Sequence, residues 1–298
     1  MDAIEIWFAI DERTSFCGFV SAATAVLESA SDCRLRIMAA YEKGKASPVT
    51  WWKDKLLRLG KPFEIHPIEV DLSRYAHCKG VFDSKVAFLR LEIPNLSSEE
   101  ILIYSDADVV FQESVKNLVQ EISSNTKSIS LVQSGVCSAQ PAREQNLLSN
   151  CGRKLDEAYF FSGLAVIRPK NYKLDGIPAK VSDIISNHAP RLDFHDQTVW
   201  NCALSTSEVG IIDSRWCHAA FPGALIKKSC NSGGILHFVG SPKPWDLFAE
   251  FFHPFARDWI SASKKTGIGN YNIKKYYDLN SWTRAARIRK QYSCWLRF

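Results

Sequence analysis

The sequence predicts an α/β protein: a mostly parallel central sheet flanked on both faces by helices. Three observations carry that expectation. Short apolar runs alternate with helix-like segments through the first half, the pattern of repeated βαβ units. No internal repeat or low-complexity stretch breaks the chain up. Apolar residues make up 46% of the 298 positions and are spread along the whole chain, which suits one large core and argues against disorder.

In chain order, "IEIWFAI" (4–10) reads as the first strand and the Ala-rich "FVSAATAVLES" (19–29) as the first helix. "LRIMAAY" (35–41) is a second strand, followed by a helix-like "VTWWKDKLLRLG" that ends at Gly60. "FEIHPIEVD" (63–71) gives a third strand, and "SKVAFLRLEIP" (84–94) a helix that Pro94 should stop. "ILIYSDAD" (101–108) is the fourth strand. The second half is more mixed. "YFFSGLAVI" (159–167) and "GGILHFVG" (233–240) read as strands, and "DGIPAKVSDIISNHA" (175–189) and "HDQTVWNCAL" (195–204) as helices. The segment 133–158 has no legible shape. "KKTGIGNYNIKK" (264–275) reads as a linker, dividing a body (1–263) from a tail (264–298).

Several function classes are disfavoured by composition. No apolar run approaches the roughly 18–20 residues of a spanning helix. The start "MDAIEIWFAI" lacks the basic opening of a signal peptide. Nine cysteines include no CxxC pair, and their spacings suit free thiols in a reducing compartment better than disulfides or a structural zinc site. The expected location is therefore cytoplasmic. Net charge is +5, but from Lys264 onward nine basic residues face the single acid Asp278; the tail is +8 and residues 1–263 carry −3. Such asymmetry points to an anionic surface as a partner of the tail alone.

The fourth strand carries the chemistry. Asp106 and Asp108 share a face, because side chains at i and i+2 point the same way, and two desolvated carboxylates there repel each other. A hard cation, Mg²⁺ or Mn²⁺, would relieve both, and such cations usually also bind phosphates. Two exposed acids at a strand end are the plain alternative. Downstream, "ILHFVGSPKPW" places His237, Gly240, Lys243 and Trp245 within nine residues. His237 can complete a ligand set, Gly240 lets backbone approach a ligand closely, and Lys243 can neutralise a phosphate. Taken singly, each also reads as an ordinary strand histidine or surface lysine.

Together these motifs resemble the family 8 glycosyltransferases, retaining enzymes of the GT-A (Rossmann-like nucleotide-diphospho-sugar transferase) fold that use UDP-sugars; glycogenin and bacterial lipooligosaccharide galactosyltransferases are members. "YSDADVVF" looks like the family's DxD, preceded by its serine-to-arginine segment (Ser84 to Arg90), and "HFVGSPKPW" matches its HxxGxxKPW. The likeness runs in order from residue 4 to about 250. It implies that Asp106, Asp108 and His237 hold Mn²⁺ (or Mg²⁺) bridging the UDP phosphates, with Ala107 between them at the cofactor site. It implies that Gly240 and Lys243 contact the pyrophosphate and that Ala9 and Asp11 recognise uridine. Arg90, Asp196 and Gln197 fall beside the donor sugar, where catalysis is expected. The chain departs from the family pattern at Glu12 and Arg13, which replace an aspartate and an asparagine. Phe161 stands where many members have an asparagine, and Thr198 where relatives often have a second aspartate.

The tail "LNSWTRAARIRKQYSCWLRF" (279–298), wound as a helix, puts Trp282, Ala285, Ala286, Ile288, Tyr292, Trp295 and Leu296 on one broad arc, with Arg284, Arg287, Lys290 and Arg297 mostly opposite and Arg289 interrupting the apolar face. That suits an anionic membrane interface better than nucleic acid; docking on the body is the other reading. The expectation is thus a hexosyltransferase at the inner face of the cytoplasmic membrane. It moves glucose or galactose from a UDP-sugar to a glycan acceptor, lipopolysaccharide core or a lipid-linked oligosaccharide. A protein acceptor, or a non-catalytic sugar-nucleotide binder, are the alternatives. A DxD phosphohydrolase is disfavoured, because Val110 stands where that chemistry wants a threonine.

Overall fold

The computed structural model describes residues 3–80, 84–222, 233–268, 279 and 281–286. Its strands are β1 (Ala3–Ala9), β2 (Arg34–Glu42), β3 (Phe63–Val70), β4 (Leu102–Ser105), β5 (Val109–Phe111), β6 (Ile129–Val136), β7 (Ala158–Ile167), β8 (Val209–Ile212), β9 (His218–Ala219) and β10 (Ile235–His237). The helices are α1 (Ser15–Leu27), α2 (Trp52–Leu57), α3 (Leu89–Leu96), α4 (Val115–Glu121), α5 (Ala142–Asn150), α6 (Pro169–Leu174), α7 (Ile177–His188), α8 (Asp196–Ala203), α9 (Ala249–Phe252) and α10 (Ala256–Lys265).

Seven strands form one sheet in the order β3-β2-β1-β4-β7-β6-β8, and β5-β10-β9 form a second, small sheet. β1, β2, β3 and β4 run parallel, as the βαβ pattern requires, and β6 is parallel to β8. β7 is antiparallel to both β4 and β6. The mostly parallel sheet expected from sequence is the sheet observed.

The alternation along β1 decides which side each residue serves. Ile4, Ile6, Phe8 and Ile10 enter one core with Phe19 and Val20 of α1 and Trp52 of α2. Trp7 and Ala9 enter the other, with Phe88, Tyr104 and Trp200. A fully buried side chain of this size contributes about 1.5–3 kcal/mol through removal from water, so both faces must be covered.

Pro94 does not stop its helix. α3 runs two residues further, to Leu96, because a proline in the last turn of so short a helix forfeits only one backbone hydrogen bond. The illegible 133–158 segment holds the end of β6, a 3₁₀ turn and α5. Buried Arg153 ties the end of that segment to α8 and β7, donating to the carbonyls of Asn201 (2.6 Å), Leu204 and Ala158 (2.7 Å). α10 crosses the 263/264 boundary and ends near Gly267, whose φ of +67° turns the chain. Most of the linker and of the 279–298 tail, including Tyr292, Trp295 and Arg297, lies outside the described residues. Among the described residues, no helix is long and apolar enough to cross a membrane.

Candidate active site

Asp106 and Asp108 do not simply end a strand; they form the corner between the two sheets. β4 ends at Ser105 beside Phe8 of β1, and β5 begins at Val109 and pairs antiparallel with β10. That pairing sets His237 opposite Val109, and Phe238 N–H donates to the Asp108 carbonyl at 3.0 Å. A residue 129 positions downstream of Asp108 is thereby placed against it by three rungs of a ladder.

Buried Ser21 of α1 fastens the corner. Its hydroxyl lies 2.7 Å from both the Ala107 and Val109 carbonyls, and it accepts from Val109 N–H at 3.2 Å. Ala107 itself packs in the core below. Asp106 N–H donates to the Gly163 carbonyl at 2.8 Å, so β7 closes the other side.

His237 Nε2 lies 3.2 Å from Asp108 Oδ1 and 3.5 Å from Asp106 Oδ2. Among the described residues these three are the group whose ligand atoms all fall within 4.8 Å of one another. Two carboxylate oxygens and an imidazole nitrogen form a donor set suited to Mn²⁺ or Mg²⁺. The cradle around them is tight. A Cβ on Gly163 would sit 2.5 Å from His237 Cε1, 2.8 Å from its Nδ1 and 2.9 Å from Asp106 Oδ2, so only glycine fits there. The other ring nitrogen, His237 Nδ1, is 3.4 Å from Cys217 Sγ, a partner that orients the ring.

Cations surround the acids. Lys243 Nζ is 2.6 Å from Asp108 Oδ2 and also donates to the Phe238 carbonyl. Burial would raise the Asp108 carboxyl, yet Lys243 and His237 outweigh it and hold it far below the usual range. Burial likewise works against charge on His237, but Asp108 and then Cys217 push it well above the ordinary histidine value. Gly240, in the loop after β10, has a φ of +81°, a left-handed conformation that glycine adopts without strain.

Arg90, buried, links the acid corner to the start of α8. Its Nη2 meets Asp106 Oδ1 at 2.7 Å, its Nη1 donates to the Ser162 carbonyl (2.7 Å) and hydroxyl (2.9 Å), and its guanidinium lies 4.7 Å from the centre of the Tyr104 ring. Arg90 Nε is 3.0 Å from Asp196 Oδ2, but its hydrogen is aimed at the Ala87 carbonyl, and Asp196 Oδ2 is left buried without an aligned donor. Burial pushes the Asp196 carboxyl up to about 6, with Arg90 opposing and Asp106 adding to the rise. Gln197 Oε1 accepts from Ser162 N–H at 3.3 Å, and its Nε2 donates to the Tyr159 hydroxyl at 3.4 Å.

A cavity of about 760 Å³ opens at the carboxyl ends of β1 and β2, lined by Asp11, Phe16, Tyr41, Lys45, Trp51 and Val86 among others. It does not enclose the acid cluster, but β1 and β4 are neighbours, so the two sites adjoin along one sheet edge. Asp11 is at its mouth, where Oδ1 accepts from Thr14 N–H and Oγ (both 2.8 Å), capping the entry to α1. Ala9 is buried in the core and does not line the cavity. Phe161 packs, partly buried, against the core.

The structure thus brings Asp106, Asp108, His237, Lys243, Arg90, Asp196 and Gln197 into one connected set. Ser21, Ser162, Gly163 and Cys217 were not singled out from sequence. Gly163 alone left a trace, a glycine inside the apolar strand "YFFSGLAVI", which marks close approach of another group.

The family model for "Glycosyl transferase family 8" matches residues 7–248. The chain belongs to that family. It is 26% identical over 245 residues to general stress protein A of Bacillus subtilis (strain 168), covering 75% of this chain and 81% of that protein. Among solved structures it resembles an active-site mutant of LgtC, with a TM-score of 0.70 at 17% identity over 88% of this chain and 95% of that one. The galactosyltransferase LgtC in complex with donor and acceptor sugar analogues superposes with a TM-score of 0.69 at 17% identity, over the same shares of each chain. The apo bifunctional glycosyltransferase WbbM gives 0.67 at 16% identity, over 95% of this chain and 52% of its own length. The family 8 membership and GT-A architecture expected from the motifs are both observed.

Proposed function

We propose that this family 8 glycosyltransferase moves glucose or galactose from a UDP-sugar, with retention at the anomeric carbon, to a glycan acceptor. The observation that carries the reading is the Asp106–Asp108–His237 cluster, completed by Lys243 and set beside a nucleotide-sized cavity. A divalent cation, Mn²⁺ by preference, fits this donor set, and when bound it would neutralise the diphosphate leaving group. The galactosyltransferase structure solved with donor and acceptor sugar analogues supports the substrate class.

Each residue then has a task. Asp11 and the aromatic wall of Tyr41 and Trp51 hold the uridine. Lys243 turns its Nζ from Asp108 to the pyrophosphate and stabilises the charge that builds there as the sugar–phosphate bond breaks, so no proton donor is needed for UDP to leave. Arg90 keeps Asp106 and Asp196 in place without approaching the leaving group. Asp196, ionised above about pH 6, faces the electron-poor anomeric carbon, and Gln197 fixes the sugar from the adjacent turn. Phe161 and Thr198 depart from the residues usual at their positions while the phosphate-side residues are kept, so the donor nucleotide is better specified than the sugar.

The acceptor we propose is lipid-linked, lipopolysaccharide core or a surface oligosaccharide precursor, reached from the cytoplasmic face by a body (1–263) whose basic tail (264–298) meets anionic lipid. The motivation is the +8 charge of that tail. UDP release from a panel of sugar nucleotides, with Mn²⁺ and then with excess EDTA, tests the reaction. Release from one UDP-sugar, abolished by EDTA, is expected. Failure to bind UDP in the presence of Mn²⁺ would overturn the assignment.

A further inference from the structure

The start of the C-terminal segment is wired to the phosphate site. Residues 281–286 are helical, and two of their side chains reach the loop that follows β10. Arg284 Nε lies 2.5 Å from Asp246 Oδ1, and the Trp282 ring meets Phe248 edge-on, with centroids 5.7 Å apart. Asp246 is buried, and its other oxygen, Oδ2, accepts from the backbone N–H of Lys243 at 2.7 Å. Asp246 N–H returns a bond to the Lys243 carbonyl at 2.9 Å, closing the turn from both ends. Lys243 Nζ, at the far end of the same residue, contacts Asp108.

We propose that Arg284 is a positioning residue for the donor diphosphate, acting through Asp246 on the backbone of Lys243. The inference rests on the reading of Lys243 as a diphosphate ligand. A buried carboxylate holds a backbone N–H firmly only while its own charge is compensated, and Arg284 supplies a counter-charge from outside the loop. The C-terminal segment therefore does more than extend from the body: it sets the affinity of the phosphate site.

The test measures UDP and uridine affinity, with Mn²⁺ present, for the full-length chain and for Arg284→Ala, Arg284→Lys and Lys243→Ala. Arg284→Ala should weaken UDP binding by about 5- to 20-fold, while uridine binding, which uses no phosphate contact, should stay within about twofold. Arg284→Lys should restore part of the loss, and the melting temperature of each Arg284 variant should stay within about 3 °C of wild type, since the guanidinium is partly exposed. Equal losses for UDP and uridine would make Arg284 a general structural residue and overturn the proposal. So would unchanged UDP affinity in Arg284→Ala alongside a clear loss in Lys243→Ala. If Lys243→Ala itself bound UDP normally, the reading of Lys243 would fall, and the positioning role with it.

Discussion

Asp108, half-buried, and Asp196, fully buried, are carboxylates within one site, yet their acidities are displaced in opposite directions. Asp108 sits at the corner between the two sheets, where Lys243 and His237 both face it and keep it ionised. Asp196 begins α8 on the other side of Arg90 and must share that arginine with Asp106. Burial costs both groups, but two cations outweigh it at Asp108 and half of one does not at Asp196. The difference separates two jobs. In the proposed mechanism the first stays charged, as a cation ligand must, and the second ionises above about pH 6 and only then faces the developing positive charge.

The largest effect should come from the charged side. Asp106→Ala or Asp108→Ala is expected to lower turnover of the UDP-sugar by at least about 100-fold, and steady-state rates within threefold of wild type would remove the cation site from the mechanism. Gly163→Ala attacks the same corner without removing a charged group. Its methyl group collides with the His237 ring, so Mn²⁺ affinity, followed by calorimetric titration, should fall by about 10- to 100-fold while the circular dichroism spectrum is kept.

The poised side should respond to pH. The folded pKa of Asp196, about 6, lies above its unfolded value near 3.8. Between those values the native state binds more protons than the unfolded chain, so this group's contribution to stability is present below about pH 4 and is lost as pH rises to about 6. Metal-free Asp196→Asn should lose that slope, by up to about 3 kcal/mol across the window, in urea melts at several pH values. An unaltered pH profile would place the shift elsewhere. The smallest effect belongs to the tail: truncation after Gly267 should abolish binding to anionic vesicles, read by co-sedimentation, and weaken UDP binding only as far as Arg284→Ala does.

How much of this was legible depended on how local the cause was. β1 to β4, α1 and α8 were readable because their apolar spacing is set by neighbours along the chain, and the family motifs named most of the site. α5 was hidden because its stretch, "AREQNLLSN", is polar and gains its order from burying Glu144 against Tyr159 (2.8 Å) and Thr198 (3.1 Å), partners that lie elsewhere in the chain. The same network explains Thr198: a second aspartate in its place would face the buried carboxylate of Glu144. Ala9 packs in the core, while Ile10 and Asp11, the residues that follow it, line the cavity.

By itself the sequence determined the layered α/β plan, the paired carboxylates after the fourth strand and the lysine-bearing turn, because periodicity and residue chemistry act over a few positions. Only the tertiary structure decided which of those groups meet. The antiparallel pairing of β5 with β10 brought His237 to Asp108, the bare Cα of Gly163 left room for it, and one shared arginine set Asp196 apart from Asp108. Those outcomes depend on distances between segments far apart in the chain, and electrostatic energies change steeply with such distances.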